Sequence, residues 1–251
     1  MDLQGKVALV TGGGTGLGFA ISTALAARGC ALAVNYPGAR EEESTQAVAS
    51  LRASGAEAEL IRADVSREDE VDALIQQTVG RFGRLDVLIN NAGTTVFVPM
   101  EDLDGMRPAD WERIHAVNLK GPFLVSRAAA PHLRANGAGA IVNTASISGY
   151  RPAGSCLAYS VSKAGLIHLT RCLAVALAPE VRVNAIAPGS MATNWYPAEI
   201  RPDYDERGAR TLLKRIPKLE DIAAIVVALA ENDSVTGETV VVDAGVTLRS
   251  P

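Results

Sequence analysis

A glycine-rich turn between a strand and a helix limits this chain to few folds. Lys6-Val7-Ala8-Leu9-Val10-Thr11 is a short apolar run, and Gly12-Gly13-Gly14-Thr15-Gly16-Leu17-Gly18 follows it. Phe19 to Gly29 then reads as a helix with a glycine stop. Strand, glycine turn and helix in that order make a phosphate cradle. The glycines let backbone approach a pyrophosphate, and the helix start offers free N–H groups at the positive end of its dipole. Glycine clusters also mark plain turns, so the flanking elements are what favour nucleotide binding here.

The same alternation repeats along the chain. Strands are expected at 31–35, 58–63, 85–89, 140–144, 181–187 and 238–242, and helices at 42–54, 68–82, 108–133 and 158–178. The helix over 108–133 is expected to bend, if at all, near Gly121-Pro122. Val- and Ile-rich strands separated by helices predict a doubly wound parallel sheet with helices on both faces. No linker or composition break divides the 251 residues, so residues 1–251 are expected to form a single α/β domain.

Composition agrees. Hydrophobic residues make up 48% and aromatics 4%, much of the former Ala, Val and Leu, as buried parallel strands require. The net charge is −4, and no basic stripe suggests nucleic acid. No segment reads as a secretory signal or as a membrane span, so no membrane association is expected. Cys30, Cys156 and Cys172 lack metal-like spacing, and the histidines at 115, 132 and 168 form no ligand pattern. These predict free thiols in a cytoplasmic protein and no metal site.

The chemistry concentrates in Ser146 to Lys163. Tyr159 and Lys163 are four apart, which on a helix places them on one face. A tyrosine hydroxyl titrates near ~10, and a cation within a few ångströms lowers that by roughly 1–3 units. Tyr-x-x-x-Lys therefore builds a phenolic acid/base for use near neutrality. Ser146 adds a hydroxyl to hold a substrate oxygen beside the phenol. A tyrosine and lysine at this spacing also occur on ordinary solvated faces. The balance shifts because the polar candidates all fall just after strands, where open parallel sheets bind ligands. They are the glycine turn, Asn35, Asp64, Asn91 to Gly93, Ser146 and Pro188-Gly189.

At the end of the second strand, Asn35-Tyr36-Pro37-Gly38-Ala39-Arg40 offers no acid before Glu41. An acid there would bind the ribose 2′-hydroxyl, whereas Arg40 suits a 2′-phosphate. The stretch favours NADP(H), with NAD(H) as the alternative.

Taken together, these segments resemble the short-chain dehydrogenase/reductase family over roughly residues 5–245. Thr11 to Gly18 match its T-G-x-x-x-G-x-G loop, and Asn90-Asn91-Ala92-Gly93 match its N-N-A-G segment. Asn118, Ser146, Tyr159 and Lys163 match its catalytic tetrad, with Ser146 thirteen residues before Tyr159. Pro188-Gly189 and Thr193 match its P-G-x-x-x-T loop.

The resemblance implies a Rossmann fold and an NAD(P)-dependent oxidoreductase that interconverts a ketone and a secondary alcohol. Tyr159 would be general acid/base and Ser146 the carbonyl partner, with Ser148 its rival. Lys163 would lower the tyrosine pKa and hold the nicotinamide ribose. Asn118 would hold a water serving Lys163, or cap backbone at a helix bend. Cofactor contacts are implied at Gly12, Gly14, Thr15, Gly16, Leu17, Gly18, Asn35, Tyr36, Arg40, Asp64, Val65, Asn91, Ala92, Gly93, Tyr159, Lys163, Pro188, Gly189 and Thr193. Asp64 could equally cap the next helix. Thr15 stands where NADP-preferring members often carry a cation.

Substrate selection is expected in residues 94–106, 149–157 and a flexible lid at 190–217. Trp195, Tyr196 and Tyr204 of the lid are either substrate walls or packing anchors. The chain resembles 3-oxoacyl-carrier-protein reductases and sugar or polyol dehydrogenases among the family's members. The helix at 158–178 reads as apolar nearly all round, which predicts a homo-oligomer, by family resemblance a homotetramer. A non-catalytic dinucleotide-binding sensor on the same fold is the alternative; such proteins usually lose the Tyr or Lys present here.

Overall fold

Short strands rich in Val, Ala and Leu form the centre of the molecule. They are β1 (Val7–Val10), β2 (Ala31–Tyr36), β3 (Ala58–Arg62), β4 (Val87–Asn90), β5 (Gly139–Thr144), β6 (Val181–Pro188) and β7 (Thr239–Val242). The structure is a computed structural model that describes residues 1–249. Ser250 and Pro251, part of the expected domain, lie outside the described residues. All seven strands run parallel in one sheet, ordered β3-β2-β1-β4-β5-β6-β7. The chain builds outward from β1 to β3, then returns so that β4 pairs with the other side of β1. Val10 thus faces Val34 in β2 and Ile89 in β4. That reversal opens a crevice at the carboxyl ends of the central strands.

The helices are α1 (Gly16–Ala26), α2 (Glu41–Ala53), α3 (Glu68–Phe82), α4 (Pro108–His115), α5 (Gly121–Ala135), α6 (Leu157–Leu177), α7 (Tyr204–Ala209) and α8 (Leu219–Glu231). They cover both faces, because successive strand side chains point to opposite sides. Ala8 and Val10 join Ile21 and Leu25 of α1 and Val226 of α8 in one core. Leu9, between them, joins Leu74 of α3, Leu133 of α5 and Leu173 of α6 in the other. Removing a side chain such as fully buried Leu88 from water contributes about 2 kcal/mol.

A buried polar chain crosses the second layer. Asn90 Nδ2 donates to Asn143 Oδ1 (2.9 Å) and Ser126 Oγ (3.0 Å), and Asn143 Nδ2 donates to Thr170 Oγ1 (2.9 Å). It ties β4 and β5 to α5 and α6.

The structure corrects four expectations. The helix over 108–133 is two helices joined by a π-helical turn, Ala116–Lys120, so the break falls at Asn118 rather than at Gly121-Pro122. Pro122 sits in the first turn of α5, where its missing N–H costs nothing. Helix α8 occupies a stretch to which the sequence reading assigned no element. At 21 residues, α6 is long and apolar enough to span a bilayer, contrary to expectation. Half of that stretch is buried inside the protein, as in a core helix. Lastly, α6 is not apolar all round. Its outer side mixes Val161 and Val175 with exposed His168, Arg171 and Cys172.

Candidate active site

The glycine turn leaves β1 and enters α1 with no side-chain cap at Thr15 and no acid in the first helical turn. Among the described residues, no protein acceptor takes the N–H groups of Leu17 and Gly18. A methyl group on Gly18 would lie 2.0 Å from the Gly12 carbonyl oxygen, so only glycine lets the turn close this tightly. Gly12 itself has φ +61. The cradle has an uncovered positive end and fits a pyrophosphate.

Thr11 and Asn91 lock this turn to β4. Thr11 Oγ1 accepts from the N–H groups of Asn91 (2.9 Å) and Ala92 (3.1 Å), while Asn91 Nδ2 donates to the Thr11 (3.1 Å) and Gly12 (3.2 Å) carbonyls. The sequence reading quotes Thr11 as part of the loop but assigns it no role; two N–H groups converging on one hydroxyl emerge only in three dimensions.

Every residue expected at the site except Asn118 lines one cleft of about 1530 Å³. The cleft runs from Tyr36 and Arg40, past the glycine turn, to Ser146, Tyr159 and the loop after β6. At its outer end, Asn35 is used by the fold. Its amide donates to the Ala63 (3.0 Å) and Ile61 (3.3 Å) carbonyls and accepts from Gly12 N (3.4 Å). Tyr36 and Arg40 line the cleft there.

Asp64 closes a turn ahead of α3, accepting from Ser66 N (2.9 Å) and Ser66 Oγ (2.7 Å), and pairs with Arg113 (3.0 Å). Burial pushes its pKa up, but the Ser66 bonds and the Arg113 guanidinium outweigh it and hold the carboxyl below its ordinary range. Asp64 does not cap α3, whose N-cap is Arg67 with no side-chain bond to the helix; it borders the cleft beside Val65.

At the inner end, α6 carries both Tyr159 and Lys163. Cys156 Sγ caps the helix by accepting from Tyr159 N (3.4 Å). Lys163 Nζ is buried, donates to the Thr144 carbonyl (2.6 Å) and lies 5.7 Å from the Tyr159 ring centre. Burial lowers its pKa to about 8. The expected depression of the Tyr159 pKa is not what the structure has. Burial pushes it up to about 12, with the Ser146 hydroxyl pulling it down and Tyr196 and Cys156 adding to the rise. Lys163, 5.7 Å from the ring centre and itself disfavoured as a cation by burial, does not offset that rise.

Ser146, not Ser148, addresses the phenol; Ser148 N donates to Ser146 Oγ (3.1 Å). Asn118 is fully buried, in the π turn. Its amide donates to Thr94 O (2.9 Å) and Ser162 Oγ (3.2 Å) and accepts from Thr94 N (2.8 Å). The side chain thus clamps backbone, and any water held here would fall to the main chain.

The aromatics of the 190–217 region divide. Trp195 lies 5.9 Å from the Tyr159 ring and Tyr196 lies 5.0 Å from Phe97, both as walls of the cleft. Tyr204 is an anchor that donates to the Thr193 carbonyl (3.2 Å). Thr193 in turn sits beside Gly16, and Arg40 Nη2 donates to the Asn194 carbonyl (2.8 Å). The loop after β6 therefore touches the glycine turn at Gly16 and Arg40 at the outer end of the cleft. Part of it is helical, in α7.

Comparison with known proteins identifies the family. The family model described as enoyl-(acyl carrier protein) reductase matches residues 12–247. A Streptomyces violaceoruber protein assigned as ketoacyl reductase 2 of the granaticin polyketide synthase is 40% identical over 244 residues, covering 96% of each chain. The 2-dehydro-3-deoxy-D-gluconate 5-dehydrogenase of Escherichia coli is 36% identical over 97% of this chain and 96% of its own. A short-chain dehydrogenase from Burkholderia cenocepacia, solved in complex with NADP, superposes with a TM-score of 0.88 at 34% identity, covering 98% of this chain and all of that one. The chain belongs to the short-chain dehydrogenase/reductase family of NAD(P)-dependent oxidoreductases.

Proposed function

We propose that this protein interconverts a ketone and a secondary alcohol, with Tyr159 as the general acid/base and NADP(H) preferred over NAD(H). The observation that carries this reading is that Ser146, Tyr159 and Lys163 share one cleft with an uncovered glycine cradle. The cofactor would supply or accept the hydride. Ser146 would hydrogen-bond the substrate oxygen. Tyr159 would give that oxygen a proton in reduction and take it back in oxidation, with Lys163 beneath the ring. Asn118 would act by fixing Thr94 and Ser162.

The cofactor contacts divide along the cleft. Gly12, Gly14, Thr15, Gly16, Leu17 and Gly18 would hold the pyrophosphate, and Tyr36 and Arg40 a 2′-phosphate. Asp64 and Val65 would border adenine. Asn91 to Gly93, Lys163, Pro188, Gly189 and Thr193 would frame the nicotinamide half. The exposed guanidinium of Arg40 and the NADP complex of the Burkholderia cenocepacia relative support the cofactor preference. The names of the Streptomyces and Escherichia relatives, a ketoacyl reductase and a dehydrogenase, accord with carbonyl/alcohol chemistry.

Tyr159→Phe tests the reading. Turnover of a ketone panel, followed by the absorbance of reduced nicotinamide, should fall by about 10²–10⁴-fold while NADPH binding persists. Surviving turnover would overturn the assignment of Tyr159. Cofactor binding without turnover of any ketone by the native protein would favour a sensor instead.

We further infer a cytoplasmic homotetramer. Exposed Val161 and Val175 on α6 and Phe123 on α5 supply apolar area for a second copy, and the three free thiols suit a reducing compartment. Light scattering should give four times the 26.2 kDa chain mass.

A further inference from the structure

Arg207, in α7, is a half-buried cation with only neutral partners. Its Nη1 donates to Ser190 Oγ (3.0 Å) and to the Tyr196 hydroxyl (2.9 Å), and the guanidinium lies 5.0 Å over the Tyr196 ring. Neighbouring arginines find acids, Arg210 at Glu206 and Arg215 at Asp221. Among the described residues, none pairs with Arg207, and its Nε and Nη2 have no acceptor. A guanidinium taken partly out of water without a counter-charge is costly. Here it is also held rigidly, with one fork edge left over.

That edge belongs to the substrate end of the cleft. Ser190 follows Gly189 directly, Tyr196 rests on Phe97, and the adjoining Trp195 rests on Tyr159. A second cation, Arg151, borders the cleft from the segment after Ser146. Its guanidinium makes one long bond, to the Val246 carbonyl (3.4 Å). The acid at this end, Asp243, is occupied by Gly245 N, Thr247 N and Thr247 Oγ1. The cofactor's phosphates have their own places, at the glycine turn and Arg40, so these two cations are free for another anion.

We propose that the substrate is a ketone or alcohol bearing a carboxylate, which Arg207 receives through Nε and Nη2, with Arg151 adding charge from the other wall. Two parallel N–H donors match two carboxylate oxygens, and Tyr196 holds the fork in place. This substrate class rests on the reading of Tyr159 as proton donor to a carbonyl.

The test compares acetoacetate, levulinate and an oxocyclohexanecarboxylate with their methyl esters, by calorimetric titration into NADPH-saturated protein. At least one acid should bind roughly 10- to 100-fold more tightly than its ester. Arg207→Met should abolish that preference while affecting the ester to a much smaller degree, and Arg207→Lys should restore part of it. A residue that only braced the loop would weaken acid and ester together. Equal binding of acid and ester across the panel, or a preference that survives Arg207→Met, overturns the proposal. Turnover of the same pairs separates this from the reaction itself. Reduction of neutral ketones without acid preference removes the carboxylate site alone. Preferential binding of acids with no reduction of any ketone removes the role of Tyr159 and leaves the anion site standing.

Discussion

At Tyr159 and Lys163, spacing and burial pull in opposite directions. The four-residue interval brings the pair together, as the sequence implies, but a linear sequence carries no measure of how dry the pocket is. Burial takes Tyr159 to about 12 and Lys163 to about 8. The phenol is therefore protonated at neutral pH and ready to donate. Ketone reduction should stay level below about pH 8 and decline above it as Lys163 loses its charge, whereas alcohol oxidation should rise with pH, checked by initial rates in both directions. Stability follows the same shift. The folded pKa of Lys163 lies below its ordinary 10.5, so between about 8 and 10.5 the unfolded chain holds the extra proton. Stability then increases with pH across that window, by up to about 3 kcal/mol. Cys30 and Tyr159, whose folded pKa values lie above their ordinary ones, oppose this rise from about pH 9 upward, so it is read as the difference between denaturant titrations of the native protein and of Lys163→Met at either end of the window. Asn35 shows the limit of reading by position: it stands where ligand contacts are expected, yet its amide is consumed by Gly12, Ile61 and Ala63.

Among elements, those defined by periodicity and stop signals were legible, and those defined by tertiary contacts were not. Glu68 to Glu70 start α3 and Val71, Leu74 and Ile75 line its inner face, a pattern readable without coordinates. The π turn at Ala116–Lys120 is not readable this way, because one residue of overlap leaves the apolar spacing on either side intact. What marks it is Asn118, whose amide ties the turn to the Thr94 backbone and to Ser162 on α6. Asn118→Ala strips both partners from the Thr94 backbone and one from Ser162. It should cost about 2–4 kcal/mol, measured by chemical denaturation. Hydrogen exchange should show faster opening at Thr94, and turnover should fall with it. Helix α8 did carry a signal, with acids in its first turn and Ile222, Ala223, Val226 and Val227 spaced along one face. No element is assigned from sequence between the lid at 190–217 and the strand at 238–242, so that signal is passed over.

For the molecule as a whole, the parallel sheet explains why so much of the site could be located in one dimension. Strands that all point one way deliver the residues after them to one edge, so positions from Gly12 to Thr193 meet in a single cleft. Contacts between loops from opposite halves have no such rule, and Arg40 is the case that matters. Its Nη1 is 3.9 Å from Glu43 and its Nη2 holds the Asn194 carbonyl, 154 residues away. The same side chain thus borders the outer end of the cleft and pins the loop that carries Trp195 and Tyr196. The two tasks can be separated. If Arg40 takes a 2′-phosphate, Arg40→Ala should weaken NADPH roughly 10-fold or more and change NADH little. If it only pins the loop, both cofactors should weaken alike. In either case the Asn194 carbonyl loses its partner, and backbone exchange at residues 194–196 should quicken. The NADPH-to-NADH ratio of dissociation constants therefore decides between selector and strut, and the exchange rates confirm that the loop contact was broken.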